Sequence, residues 1–172
     1  MTDTPTNVLV LCTGNSARSI LGEAIVNRLG DGRIIGYSAG SHPKGAVHPG
    51  ALRLLQRHGY PTDGLRSKSW DEFSGADAPT IDAVITVCDN AAGEMCPVWP
   101  GQPVKAHWGL PDPAAVEGND AAVDAAFEAT HTALLKRITQ MIELPIRDRE
   151  VPAMAIRQCL QQIHDDLAAD GQ

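Results

Sequence analysis

The sequence predicts an α/β fold organised on a doubly wound, four-stranded parallel sheet, and three observations predict it. The apolar run 8–11 reads as a buried strand that stops at Cys12, where Gly14, Asn15 and Ser16 supply turn chemistry. Apolar residues then recur at helical spacing through Ile20, Leu21, Ala24, Ile25 and Leu29. Strand-like and helix-like stretches continue to alternate along the chain, which argues for parallel strands joined by right-handed crossovers. With 172 residues, 43% of them apolar, the chain is long enough for one well-filled core and too short for two ordinary domains.

Residues 33–40 read as a second strand and 41–45 as a loop. Pro49 is well placed as the first residue of a helix running to about His58, and Gly59 ends it. Residues 61–79 are irregular, with Trp70 and Phe73 as anchors packed beneath the loop. Residues 81–88 read as a third strand with Cys88 at its carboxyl end, and 89–103 as a long loop rich in Gly and Pro. A short fourth strand, 104–108, leads into Gly109-Leu110-Pro111-Asp112-Pro113. A helix from about 121 to 142 is expected to place Ala122, Ala125, Ala126, Ala129, Ala133 and Leu134 on or near its core face. After a charged connector at 144–150, Ile156, Leu160, Ile163 and Leu167 mark a last helix, with Cys159 expected as a small core residue beside them. The expected division is a domain over 1–143 and a C-terminal connector and helix over 144–172, part of the same domain or a dimer contact.

Fourteen basic residues against 21 acidic ones give a net charge of −7 with no basic block, so nucleic acid and anionic membrane are poor partners. No run is long and apolar enough to cross a bilayer, and the first seven residues do not read as a signal peptide. The four cysteines, Cys12, Cys88, Cys96 and Cys159, therefore read as reduced, cytoplasmic thiols with a catalytic or redox role. The Cys88-x7-Cys96 spacing with His107 beyond fits no usual zinc pattern; neither a metal nor a tightly bound cofactor is expected.

The loop Cys12-Thr13-Gly14-Asn15-Ser16-Ala17-Arg18 lies at a helix N-terminus, where backbone N–H groups lack partners in the helix and point at whatever the loop holds. Arg18 adds a bidentate donor suited to a tetrahedral oxyanion. In that field a thiol pKa falls from about 8.5 to as low as roughly 3.5–7.5, so Cys12 is expected as a thiolate. Ser19 either hydrogen-bonds that thiolate or is an ordinary first-turn residue. In open parallel sheets ligands bind outside the carboxyl ends of the strands, so Cys12 and Cys88 should face one crevice. Asp112, stiffened by Pro111 and Pro113, is either a turn residue or a general acid; protonating an oxygen that leaves a tetrahedral oxyanion is worth about 10²–10⁴-fold.

Cys12-Thr-Gly-Asn-Ser-Ala-Arg18-Ser19 resembles the oxyanion loop of the cysteine-dependent enzymes with the low-molecular-weight protein tyrosine phosphatase fold. It looks more like their arsenate reductase branch: the phosphatases usually carry a second cysteine immediately before the arginine, where this chain has Ala17, and a tyrosine after Asp-Pro, where it has Ala114. The resemblance implies the strand order 2-1-3-4 and the role of Asp112 as acid. The segment from Cys88 to Cys96 resembles the redox segment of thioredoxin-coupled arsenate reductases, with one residue more between the cysteines than a familiar version.

The resemblance thus implies that Cys12 attacks arsenate, that Cys88 then attacks Cys12 and releases arsenite, and that Cys96 attacks Cys88. Thioredoxin, or alternatively glutaredoxin with glutathione, reduces the resulting disulfide. Phosphate, nearly the same shape as arsenate, should compete. In some relatives, residues resembling Asn15, Glu23 and Ser38 help bind a potassium ion with an acidic residue, at whose position this chain has Lys68; the lysine either replaces the ion or is a surface residue. A phosphatase of the same fold, and a non-catalytic redox sensor, are the alternative readings.

Overall fold

A computed structural model describes residues 4–88, 99, 102–148 and 150–170. Strand β1 spans Thr6–Cys12 and is followed by helix α1, Arg18–Gly30. Strand β2 (Ile34–Gly40), helix α2 (Pro49–Arg57), and strands β3 (Ala83–Thr86) and β4 (Val104–His107) come next. Helices α3 (Asp120–Met141) and α4 (Ala153–Asp170) close the described chain. The four strands are parallel in the order β2-β1-β3-β4. Strand β3 is shorter than its apolar run, but Asp82 N–Asn7 O at 2.8 Å and Val87 N–Leu11 O at 2.9 Å extend its pairing to β1 at both ends.

The alternating side chains of β1 divide the interior. Val8, Val10 and Cys12 join the larger core, to which α1, α2, α3 and α4 all contribute. Leu9 and Leu11 face the smaller one with Ala39, Phe73, Ile81, Val84 and Trp99. Phe73 lies in a 3-10 turn, Trp70–Phe73, that serves as the anchor expected in the irregular stretch.

Two expectations about helix faces are corrected. On α3 the buried stripe is Phe127, Thr130, His131, Leu134, Arg137, Ile138 and Met141, whereas Ala122, Ala125 and Ala129 are exposed. An alanine methyl carries too little apolar area to orient a helix, so the larger residues decide. On α4, Ile156, Leu160 and Ile163 are buried, whereas Cys159 is exposed, because it sits on the flank of that stripe and turns toward solvent. Helix α4 docks on β4: Trp108 Nε1 donates to Leu160 O at 2.9 Å, and Gln161 accepts from His107 N at 3.1 Å and donates to His107 O at 2.9 Å. The edge strand is thereby covered.

Candidate active site

Cys12 ends β1 and Arg18 begins α1, so the loop between them is pinned at both ends by regular structure. Its carbonyls are taken up from outside. His42 N donates to Thr13 O, Lys44 N to Gly14 O and His48 N to Ser16 O, each at 2.9 Å. Ala17, at the N-cap of α1, makes no side-chain cap. The amides of Asn15, Ser16 and Ala17 have no acceptor among the described residues, so donors are left at the head of a helix. The Nε of Arg18 is likewise buried with no partner among them. A buried, unmatched set of donors is the chemistry of an oxyanion site.

Asn15 holds the loop's shape. Its φ of 43° lies in the left-handed region that asparagine tolerates better than most residues. It is fully buried, its Oδ1 accepting from Lys68 N at 2.9 Å and its Nδ2 donating to Ser19 Oγ at 2.8 Å. Ser19 thus braces Asn15 from the first turn of α1. Gly40, at the end of β2, lies close behind the loop: a Cβ there would overlap the Thr13 carbonyl oxygen and stand 2.8 Å from that of Cys12.

Beneath the loop, Lys68 is buried, which removes the surface reading. Its Nζ lies 3.0 Å from Arg66 O, 3.3 Å from Glu23 Oε1 and 3.4 Å from Ser38 Oγ, while Ser38 Oγ donates to Glu23 at 2.7 Å. An ammonium therefore lies among the Glu23 and Ser38 oxygens, and the backbone amide of the same lysine holds Asn15.

At the mouth, Arg18 Nη1 donates to Leu110 O at 2.8 Å and Nη2 lies 3.6 Å from Asp112 Oδ2. Asp112 caps the 3-10 turn Pro113–Ala115 by accepting from Ala114 N at 2.9 Å. Its other oxygen faces the arginine, and its side chain is 37% exposed, so it can meet a bound anion and exchange protons with solvent. Cys88 comes to the same mouth: Thr13 N donates to Cys88 Sγ at 3.2 Å, which brings the second sulfur beside Cys12. Cys96 lies outside the described residues.

At Cys12 two influences oppose the expected thiolate. In this arrangement its thiol pKa is raised, first by the hydrogen bond with Cys88 and next by burial; Arg18 and the Gly14 amide pull it down but do not prevail. Counting only arginine and helix terminus left out the second sulfur and the low-dielectric surroundings. The partners at His42, Lys44, His48 and Leu110 act through backbone atoms, which no side-chain pattern announces. His48 alone offered a signal, as the polar residue before Pro49: its Nδ1 accepts from Gly50 N at 2.9 Å and caps α2, and its ring stacks on Phe127 at 5.1 Å.

Residues 7–151 match the family described as low molecular weight phosphotyrosine protein phosphatase. The chain belongs to this family. Among its relatives, a protein named arsenate reductase from Halalkalibacterium halodurans is 35% identical over 137 residues, covering 79% of this chain and 94% of that protein. A solved structure titled "An arsenate reductase in the phosphate binding state" superposes with a TM-score of 0.64 at 28% identity, over 80% of this chain and 96% of the other. The thioredoxin-dependent arsenate reductase of Corynebacterium glutamicum shares the fold, with a TM-score of 0.54 at 23% identity over 81% of this chain and 64% of that one. The match to this phosphatase family ends at residue 151, so α4 lies beyond it.

Proposed function

We propose that this protein reduces arsenate to arsenite by covalent cysteine catalysis followed by a thiol relay. The observation that carries the reading is the second thiol, Cys88, which accepts from Thr13 N at 3.2 Å beside Cys12 at the head of an oxyanion loop. A phosphatase returns its cysteine unchanged and needs no neighbouring thiol; a reductase must pass two electrons to the bound oxyanion.

Arsenate is held by the loop amides, those of Asn15, Ser16 and Ala17 among them, and by Arg18. Cys12 gives its thiol proton to an oxygen of the bound arsenate anion and attacks arsenic as the thiolate, while Asp112 protonates the departing oxygen, which leaves as water. Cys88 thiolate then attacks the Cys12 sulfur; the sulfur–arsenic electron pair stays on arsenic, which leaves as arsenite, and a Cys12–Cys88 disulfide forms. Cys96 attacks Cys88 in turn, freeing Cys12 and producing a Cys88–Cys96 disulfide that an external dithiol protein reduces by exchange. Thioredoxin is the reductant of first choice, with glutaredoxin and glutathione as the alternative. Asn15, Glu23, Ser38 and Lys68 position the loop, the lysine ammonium serving where relatives of this type hold a potassium ion. Phosphate competes for the same donors.

The test is steady-state reduction of arsenate by the purified protein with thioredoxin, thioredoxin reductase and NADPH, with the glutaredoxin system in parallel. Turnover with either is expected. Failure with both, together with hydrolysis of an aryl phosphate, would overturn the reductase reading in favour of the phosphatase one.

A further inference from the structure

Among the described residues two cationic side chains are buried, Lys68 and Arg137, and they differ in one respect. Lys68 has the Glu23 carboxylate at 3.3 Å. Arg137, 4% exposed on the inner side of α3, has none among the described residues: its Nε donates to His164 Nδ1 at 3.0 Å and its Nη1 to Ala133 O at 2.9 Å, both uncharged acceptors. Accepting at Nδ1 keeps the His164 imidazole neutral in this arrangement. Among the described residues, two of the five guanidinium N–H groups are thus used and no anion compensates the positive charge. Leaving such a charge buried is costly, and the cost persists unless an anion is supplied. Burial lowers the pKa of Arg137, and no carboxylate acts to raise it.

Arg137 lines an open groove of about 610 Å³ between α3 and α4. The other polar side chains on its walls are Thr132, Lys136 and His164, and among the described residues no Asp or Glu lines it, in a chain whose net charge is −7. The rest of the lining is Gly, Ala, Leu and Pro, so a small molecule with an anionic head and an apolar body would meet matching surface. The α4 wall, which supplies His164, lies beyond the matched residues 7–151, and none of residues 12–19 lines the groove.

We propose that the groove between α3 and α4 binds a small anion, a carboxylate or a tetrahedral oxyanion, through Arg137 with Lys136 at its rim. The buried guanidinium supplies the charge-assisted hydrogen bonds and the exposed ammonium long-range attraction.

The test is a site-resolved NMR titration of the full-length protein with sodium phosphate and, separately, sodium acetate, with ionic strength held constant by sodium chloride. The Arg137 Nε–H and the amides of Thr132 and Lys136 report on the groove, and the amides of Asn15, Ser16 and Ala17 report on the loop. Saturable shifts at the groove reporters are expected with at least one probe. Saturation by phosphate alone assigns a tetrahedral oxyanion, and by acetate alone a carboxylate. In Arg137→Met the affinity read from the Thr132 and Lys136 amides should fall by about tenfold or more, the worth of a charge-assisted hydrogen bond. In Lys136→Met, which changes an exposed residue and keeps the fold should Arg137→Met fail to fold, it should fall by roughly threefold. No saturable shift at the groove with either probe overturns the proposal, as does an affinity unchanged in a folded Arg137→Met or in Lys136→Met.

Discussion

Asp112 Oδ2 stands 3.6 Å from Nη2 of Arg18, so the proposed proton donor and the proposed anion clamp are held on one side of the mouth. The same arginine donates to Leu110 O at 2.8 Å, two residues before the aspartate. The clamp therefore also fixes the segment that carries the acid, and a change at Asp112 can be read apart from a change in the loop. Asp112→Asn is expected to lower kcat for arsenate reduction by about 10²–10⁴-fold, the range of positioned acid catalysis. Alkylation of Cys12 by iodoacetamide should proceed at an unchanged rate, which separates loss of the acid from loss of the nucleophile.

Cys88 governs the protonation of Cys12, because its hydrogen bond is the largest influence raising that pKa. Cys88→Ala should move the pH profile of Cys12 alkylation to lower pH, since it removes raising contributions and leaves Arg18 and the Gly14 amide in place. The same variant should lose catalytic turnover. Cys96→Ser should keep one turnover and stop, measurable as a burst of arsenite equal to the enzyme present; sustained turnover would take Cys96 out of the relay.

Lys68 joins Glu23, Ser38 and the backbone of Asn15. Lys68→Met leaves the Glu23 carboxylate buried without its cation, which costs about 3–5 kcal/mol for a buried pair. Chemical denaturation should show that loss. In the unaltered protein, replacing sodium by potassium at constant ionic strength should leave kcat and KM unchanged; a marked rise with potassium would show that the ammonium does not serve in the ion's place.

Gly40→Ala tests the contact behind the loop. Its methyl would meet the carbonyl oxygens of Cys12 and Thr13, backbone atoms that cannot step aside without moving the loop. KM for arsenate and the inhibition constant for phosphate should both rise, with less change at Gly32, where an added Cβ meets nothing within 4 Å although its φ of 79° carries its own strain.

His131 sets a pH dependence of stability. It is 4% exposed, bonded through Nε2 to Tyr60 OH at 2.9 Å, and its pKa is lowered, chiefly by burial and then by the charge of His58. The unfolded chain therefore takes up this proton at higher pH than the folded one. Its contribution to stability is full above about pH 6.5, the ordinary histidine value, and is lost as pH falls toward the folded pKa. Thermal melts from pH 8 to 5 should show a decline that is shallower in His131→Gln. A slope unchanged by that substitution would assign the effect to other groups, such as His48, whose pKa is lowered by burial and by Lys44 and Arg53.

The strand–loop–helix unit that carries Cys12 and Arg18 was legible from residue order alone, because the two residues lie within seven positions and local turn and helix chemistry place both. Residue order also placed Cys88 and Asp112 near them, because β3 and β4 run parallel to β1 and deliver their carboxyl ends to one edge. What only the tertiary structure decided depends on partners distant in the chain. The pKa of Cys12 depends on a sulfur 76 positions away and on burial; the orientation of α3 depends on which side chains find a core, so Phe127 and His131 outweigh a row of alanines; and Cys159 turns outward because β4 and α3 take the neighbouring stripe. The loop's amides are left available by carbonyl bonds to His42, Lys44 and His48. The uncompensated charge of Arg137 exists only because α4 folds over it with histidine rather than a carboxylate at position 164. Local sequence specifies which groups a segment offers, and packing specifies which of them are left without a partner, which is where an anion can bind.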